Sequence, residues 1–235
     1  GVTLQKDLGD DDLLTIFNEE NKQDLLKRSL DLLAKIQGLP QEEIPKLTHD
    51  ELVDQMHLFK DIFCINFLEV EPDNSIDDLM LLTTENIKQQ PWVNCHFDFE
   101  RRNLILHQNQ ITVIDHQDMK IGPLGIDLSG ILIDDYYPVN LTDINMMLDY
   151  FSKQIKSKHS PEELFNFLRW GSIQRNMRIL GTLANLFTEH KRSFRLKDLP
   201  MILSNLECMI PDNHKSKLFI SEQLQPLLNK KLLDI

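Results

Sequence analysis

His96-Phe97-Asp98-Phe99-Glu100-Arg101-Arg102-Asn103 runs into two aliphatic stretches, Leu104-Ile105-Leu106-His107 and Ile111-Thr112-Val113-Ile114, and then into Asp115-His116-Gln117-Asp118. The two stretches flank Gln108-Asn109-Gln110, a three-residue connection suited to a β-hairpin. If the loop centres on Asn109, antiparallel pairing sets Leu104 opposite Ile114 and Asn103 opposite Asp115. Directly opposed residues have Cβ atoms about 4.5 to 5.5 Å apart. An amide oxygen and a carboxylate at that separation can share a hard cation such as Mg²⁺, which completes its octahedron with phosphate oxygens and water. Asp98 precedes Asn103 on the loop entering the hairpin, where a carboxylate can orient a hydroxyl nucleophile and accept its proton. His96, beside it in the catalytic segment, reads as an organiser of the loop. His116, a lone imidazole after a strand, reads as packed or solvated. A zinc site from Cys95, His96, His107 and His116 fits no common ligand spacing.

Outward from the hairpin the pattern is helical. Leu13 to Ile36 carries Leu13, Leu14, Phe17, Leu25, Leu26, Leu30, Leu33 and Ile36 mainly at spacings of three and four, with Gly38 and Pro40 as a stop. Further amphipathic runs cover Asp50 to Phe67, Ile76 to Gln89, Ile126 to Asp134, Leu141 to Lys156, Glu162 to Glu189, Leu199 to Ile210 and Ser221 to Leu233. Val2 to Leu4 resembles the tail of a strand leaving into a connector. The expected fold is mainly α, an α+β chain in which the hairpin is the one substantial sheet.

Composition narrows the function. The 235 residues contain 25 Lys plus Arg against 37 Asp plus Glu, a formal charge of -12, which argues against a broad basic face for nucleic acid or anionic lipid. No apolar run approaches the roughly 18 residues of a membrane span, and residues 1 to 12 lack the cationic and apolar segments of a signal peptide. The expected setting is the cytoplasm, without nucleic-acid or membrane partners. Cys64, Cys95 and Cys208 form no CxxC pair and suggest neither disulfides nor structural zinc. The few glycines build neither GxGxxG nor a Walker A loop.

HFDFERRNL, VIDHQD and IGPLGIDLSGIL together resemble the catalytic loop, metal-binding segment and following helix of the aminoglycoside phosphotransferase-like kinases, relatives of the protein kinases. Within them the chain is most similar to bacterial kinases that phosphorylate the cell-wall amino sugars N-acetylmuramate and N-acetylglucosamine at the anomeric hydroxyl. Asp7-Leu8-Gly9 resembles their hinge, and Ile173 to Gly181 a late helix. The resemblance implies a phosphotransferase using ATP and Mg²⁺, with Asp98 as catalytic base, His96 supporting the loop, and Asn103 and Asp115 as metal ligands. It implies a structural role for Asp127, a buried aspartate bonded to the catalytic-loop backbone. It further implies that backbone groups near Lys6, Asp7 and Leu8 meet the adenine edge. Phe97, where these families more often carry Arg or Gly, and His116, where Phe is usual, depart from the pattern.

Such kinases grip the ATP phosphates with a Gly-rich loop and a Lys upstream of the hinge, and neither has a counterpart here. The chain therefore resembles the helical C-terminal lobe, with residues 1–12 as a hinge remnant, residues 13–235 as the lobe, and the catalytic loop and hairpin at 91–120. Its expected partners are the missing N-terminal lobe and a small-molecule acceptor, and on its own it is expected to fold without turning over sugar. Only eleven residues separate Asp115 from Asp127, too short a segment for a protein kinase's peptide platform. The acceptor is therefore expected to be small, with Gln174, Arg175 and Arg178 as contacts for sugar or carboxylate. Competing readings are an aminoglycoside or choline-type kinase and a non-catalytic pseudokinase-like binding module.

Overall fold

The computed structural model describes residues 7–155 and 158–235. The expected strand tail at Val2 to Leu4, and Lys6, lie outside the described residues. The chain is mostly helical: α1 (Leu13–Ile16), α2 (Lys22–Gln37), α3 (His49–His57), α4 (Asn74–Lys88), α5 (Gly125–Leu132), α6 (Leu141–Gln154), α7 (Pro161–His190), α8 (Leu199–Met209), α9 (Ser216–Phe219) and α10 (Gln225–Leu233). Four short strands, β1 (Trp92–Cys95), β2 (Leu104–His107), β3 (Gln110–Val113) and β4 (Lys120–Pro123), stand between α4 and α5. No described helix is long and apolar enough to cross a membrane.

The helix expected over Leu13 to Ile36 is broken in two. Asp12 caps α1, accepting the Thr15 N–H at 2.7 Å. The Asn18 side chain then accepts the N–H groups of Glu20 and Asn21 at 2.9 and 3.1 Å, while Asn21 Nδ2 donates to the Ile16 carbonyl at 2.8 Å. Asparagine side chains that replace the i→i−4 ladder in this way end a helix, a competition that apolar spacing does not reveal. The run from Asp50 to Phe67 is continuous, with α3 passing into a π-helical segment, Leu58–Phe67. Along it Phe59, Phe63 and Phe67 form consecutive ring contacts in the core.

The hairpin is present with a different register. Leu104 pairs with Val113 and His107 with Gln110, so the loop is the two residues Gln108 and Asn109. Both have positive φ, 47° and 58°, the signature of a type I′ turn, whose twist matches the flanking strands. Asn103 therefore faces Ile114, whose N–H donates to its carbonyl at 2.9 Å, and Asp115 lies one residue further on. The hairpin is also not the only sheet: β1 and β4 pair antiparallel, Trp92 with Pro123 through Cys95 with Lys120. Four-residue strands of mixed polarity carry too little periodicity to be read from sequence.

The long helix α7 is the axis of the core. A capping box between Ser160 and Glu163, with Pro161 in the first turn, starts it, and Lys191 in left-handed conformation ends it. Its central residues, Ile173, Met177, Leu180 and Ala184 among them, are buried. It crosses α5 at Gly171 and Gly125, so close that a Cβ on Gly171 would lie 2.3 Å from the Gly125 carbonyl carbon. One turn along α5, a Cβ on Gly130 would lie 2.6 Å from the Phe99 carbonyl oxygen. Glycine therefore sets how closely α5 approaches both α7 and the loop before the hairpin.

Gly171→Ala should destabilise the protein by about 1–3 kcal/mol through overpacking against backbone that cannot move aside. The measurement is the urea unfolding midpoint, with Gly38→Ala as control, since a Cβ there comes no closer than 3.4 Å to any neighbour. Equal midpoints for the two variants would refute the close-crossing account.

Candidate active site

The segment 96–103 is held at its backbone. Asp127, on the first turn of α5, accepts the His96 N–H at 2.6 Å on Oδ2 and the Phe97 N–H at 2.9 Å on Oδ1. Phe97 has φ 69°, a left-handed conformation that a non-glycine residue keeps only where its surroundings impose it. Burial pushes the Asp127 carboxyl up to about 6, against the two backbone donors that lower it. These contacts join α5 to the backbone of the loop. His96 is buried and its Nε2 meets the Ile114 carbonyl at 2.9 Å; a carbonyl only accepts, so Nε2 carries the proton. The ring ties loop to hairpin.

This anchoring presents Asp98. Its carbonyl accepts from Asn103 Nδ2 and from the Glu100 N–H, both at 2.9 Å. Its carboxylate, with 49% of the side chain exposed, meets Arg178 Nη2 at 3.3 Å, and the same nitrogen donates to the Phe97 carbonyl at 3.1 Å. Asp115 is exposed at φ 64° and accepts from Gln117 Nε2 at 2.6 Å. Asn103 turns its amide nitrogen to Asp98 and so its oxygen elsewhere. Both remain at the open end of the hairpin, but not as directly opposed residues. His116 is exposed, and among the described residues no three His, Cys, Asp or Glu side chains gather into a metal cluster.

A cleft of about 170 Å³ opens beside Asp98, lined among others by Glu100, Arg102, Arg178, Thr182 and Phe194. Its floor rests on an ion network absent from the sequence reading. Buried Glu100 binds Arg102 and, at 3.3 Å, Arg175. Arg175 also binds Asp135 at 2.7 Å, and Asp135 binds Arg195 at 2.6 Å. Burial alone would raise the Asp135 carboxyl, but the two guanidiniums hold it below the usual range. Two expected acceptor contacts are corrected here. Gln174 is fully buried and donates to Gln55 at 2.8 Å, and the Arg175 guanidinium is committed to two carboxylates below the surface. Only Arg178 of that trio offers its charge to the cleft. Asp134-Asp135 directly after an apolar helix was the available signal for the network, but periodicity does not say which carboxylates are buried.

A larger cavity, about 490 Å³, lies between α2 and α6 without reaching Asp98. Arg101 lines it, its guanidinium 3.6 Å from the Phe17 ring centroid and 2.6 Å from Asp134. The hinge-like stretch is pinned to β2. Leu106 N–H donates to the Asp11 carbonyl at 2.9 Å, Asp12 bridges to Ile105, and the Leu8 carbonyl accepts from His107 Nδ1 at 3.0 Å. The Asp7 carboxylate accepts the Gly9 N–H at 2.9 Å. Leu8's carbonyl is therefore already engaged.

Residues 2–154 match the family described as the phosphotransferase enzyme family, and the chain belongs to that family. It is similar to the N-acetylmuramate/N-acetylglucosamine kinase of Neisseria meningitidis, 24% identical over 220 residues that cover 88% of this chain and 66% of that protein. The enzyme of the same name from Pseudomonas aeruginosa is 25% identical over 223 residues, covering 89% and 65%. The chain thus spans about two thirds of the length of the curated relatives it matches. Among solved structures it is similar to Plasmodium vivax ethanolamine kinase, with a TM-score of 0.64 at 14% identity over 90% of this chain and 65% of that one. That likeness shows a shared mostly helical fold with small antiparallel sheets.

Asp127→Ala should cost about 1–3 kcal/mol, because two buried N–H groups lose their acceptor. A carboxyl whose folded pKa is raised binds its proton more tightly folded than unfolded. The stability this adds is complete below pH ~4 and lost as pH rises through about 6. The deficit of the variant, measured by denaturant melts of both proteins, should therefore be larger at pH 5 than at pH 7.5. A deficit that grows with pH would show that the backbone donors outweigh burial.

Proposed function

We propose that this member of the phosphotransferase enzyme family transfers the γ-phosphate of ATP to a hydroxyl of a small molecule, a cell-wall amino sugar. The observation that carries this reading is Asp98, half-exposed at the cleft on a loop whose backbone Asp127 and Asn103 fix. The acceptor hydroxyl gives its proton to an Asp98 carboxylate oxygen while its own oxygen bonds to the γ-phosphorus. The bond from phosphorus to the β–γ bridging oxygen breaks, and ADP leaves with that electron pair. Arg178, bonded to both Asp98 and the Phe97 carbonyl, keeps the base aimed.

Asn103 and Asp115 offer the hard oxygen donors that Mg²⁺ prefers, and among the described residues Asp115 is engaged by the neutral amide of Gln117. There the ion would neutralise charge on the phosphates. Residues 7–12, pinned to β2, take the part of the hinge, and the N–H of Leu8 is the group we assign to the adenine edge, with Lys6 and Asp7 beside it. The chain from residue 13 onward takes the part of the catalytic lobe. A preceding lobe supplies the phosphate grip, in keeping with the share of the relatives' length that the chain spans.

The choice among acceptors rests on charge. Arg102 and Arg178 meet the cleft against Asp98 and Glu100, while Arg175 and Arg195 are neutralised beneath it by Glu100, Asp135 and Asp198, a balance that suits an uncharged acceptor better than a polycationic aminoglycoside or a choline-like cation. The names of the two curated relatives point the same way. A pseudokinase-like role has no such support, since the sequence keeps Asp98, Asn103 and Asp115.

In a protein carrying both lobes, Asp98→Asn should lower turnover about 10²- to 10⁴-fold with little change in melting temperature. Phosphate transfer from ATP to N-acetylmuramate and N-acetylglucosamine is the assay, and turnover within threefold of the parent sinks the assignment. Asp115→Ala should abolish the Mg²⁺ dependence of nucleotide binding, since only Asp118 stands near enough in sequence to substitute. Titration of nucleotide with and without Mg²⁺ measures this; an unchanged Mg²⁺ effect would place the metal elsewhere.

A further inference from the structure

The cleft beside Asp98 has a lining of two kinds. Glu100, Arg102 and Arg178 are polar, and Ile179, Leu183, Leu186 and Phe194 are apolar. Phe194 stands out on the apolar side because 62% of it is exposed, although its flanks are firmly held. On one side the turn ending α7 closes through the Arg192 N–H to the Leu186 carbonyl at 3.0 Å. On the other, Arg195 is fixed by Asp135 and by Asp198 at 2.6 and 2.9 Å. The phenyl ring is thus displayed from an anchored segment over the cleft that holds the base. Leaving a Phe side chain exposed forgoes about 1.5–3 kcal/mol of burial, and here the exposed ring lines the same cleft as Asp98.

A pyranose with mostly equatorial substituents has the same division. Its rim carries hydroxyl and amide groups, and its faces are C–H surfaces that an aromatic ring can cover. We propose that Phe194 is the platform for one face of the acceptor sugar ring, while Arg102 and Arg178 meet its polar rim, so that stacking sets the hydroxyl against Asp98. The proposal rests on the amino-sugar reading above and assigns Phe194 as a positioning residue: the ring touches substrate but takes no part in proton or phosphate transfer.

The test uses the two-lobe protein with N-acetylglucosamine and N-acetylmuramate as acceptors. Phe194→Ala should raise the sugar KM at least about tenfold while leaving the KM for ATP and the melting temperature unchanged. Phe194→Tyr and Phe194→Trp should restore it. The Trp variant adds a reading independent of turnover: its emission should shift on adding either sugar without nucleotide, beyond the background from Trp92 and Trp170. An unchanged sugar KM in the Ala variant, with the parent active, overturns the platform and leaves the kinase reading standing. A parent that neither binds nor phosphorylates either sugar overturns the amino-sugar reading and the platform together. A Trp variant that turns over sugar but shows no shift removes the ring from contact with it.

Discussion

The two hydrogen bonds from the His96 and Phe97 N–H groups to the Asp127 carboxylate are the constraint on which the site depends. They hold Phe97 in a left-handed conformation, and that reversal of the chain turns Asp98 outward. The latch is itself set by packing. Asp127 sits where it does because α5 presses against α7 at Gly125 and Gly171, and because Gly130 admits the Phe99 carbonyl. The His96 ring extends the hold to the hairpin through Ile114. Glycine contacts, one carboxylate and one imidazole thus place helix, loop and hairpin relative to one another.

The network of Glu100, Arg175, Asp135 and Arg195 adds a second restraint of a different kind. Taking such charges out of water costs several kcal/mol per ion, which mutual attraction recovers only with good geometry. It is therefore weak as a source of stability. What it does provide is position: α7, the loop at 134–135 and the segment at 195 are joined beneath the cleft, so that Arg178 and Phe194, one turn above Arg175 and one residue before Arg195, are delivered to its walls.

The parts legible in sequence were those whose signal is local. The His-x-Asp spacing, the hairpin and the helices other than the first carry their own periodicity or turn chemistry. The register was missed by one residue because Gln108 and Asn109 adopt a turn more often built with glycine, and one residue was enough to move Asp115 from beside Asn103. Gln174 and Arg175 were misplaced because α7 over residues 171–177 is enclosed by protein, α5 and the segment at 58–67 among it, so that both side chains find partners inside. Their partners, Gln55, Glu100 and Asp135, lie 119, 75 and 40 residues away, beyond any window of periodicity.

The same geometry separates two approaches to the reacting centre. Residues 8 to 12 are bonded along β2, on the hairpin side of Asp98, whereas the cleft with Arg178 and Phe194 lies on the α7 side. On the kinase reading the nucleotide comes from the first direction and the acceptor from the second, with Asp98 between them. An acceptor can then change with the residues of α7 and the segment that follows it, while the loop, hairpin and hinge that serve the phosphates stay as they are. Acceptor wall and phosphate-handling loop, built from separate elements, can then vary independently within one fold.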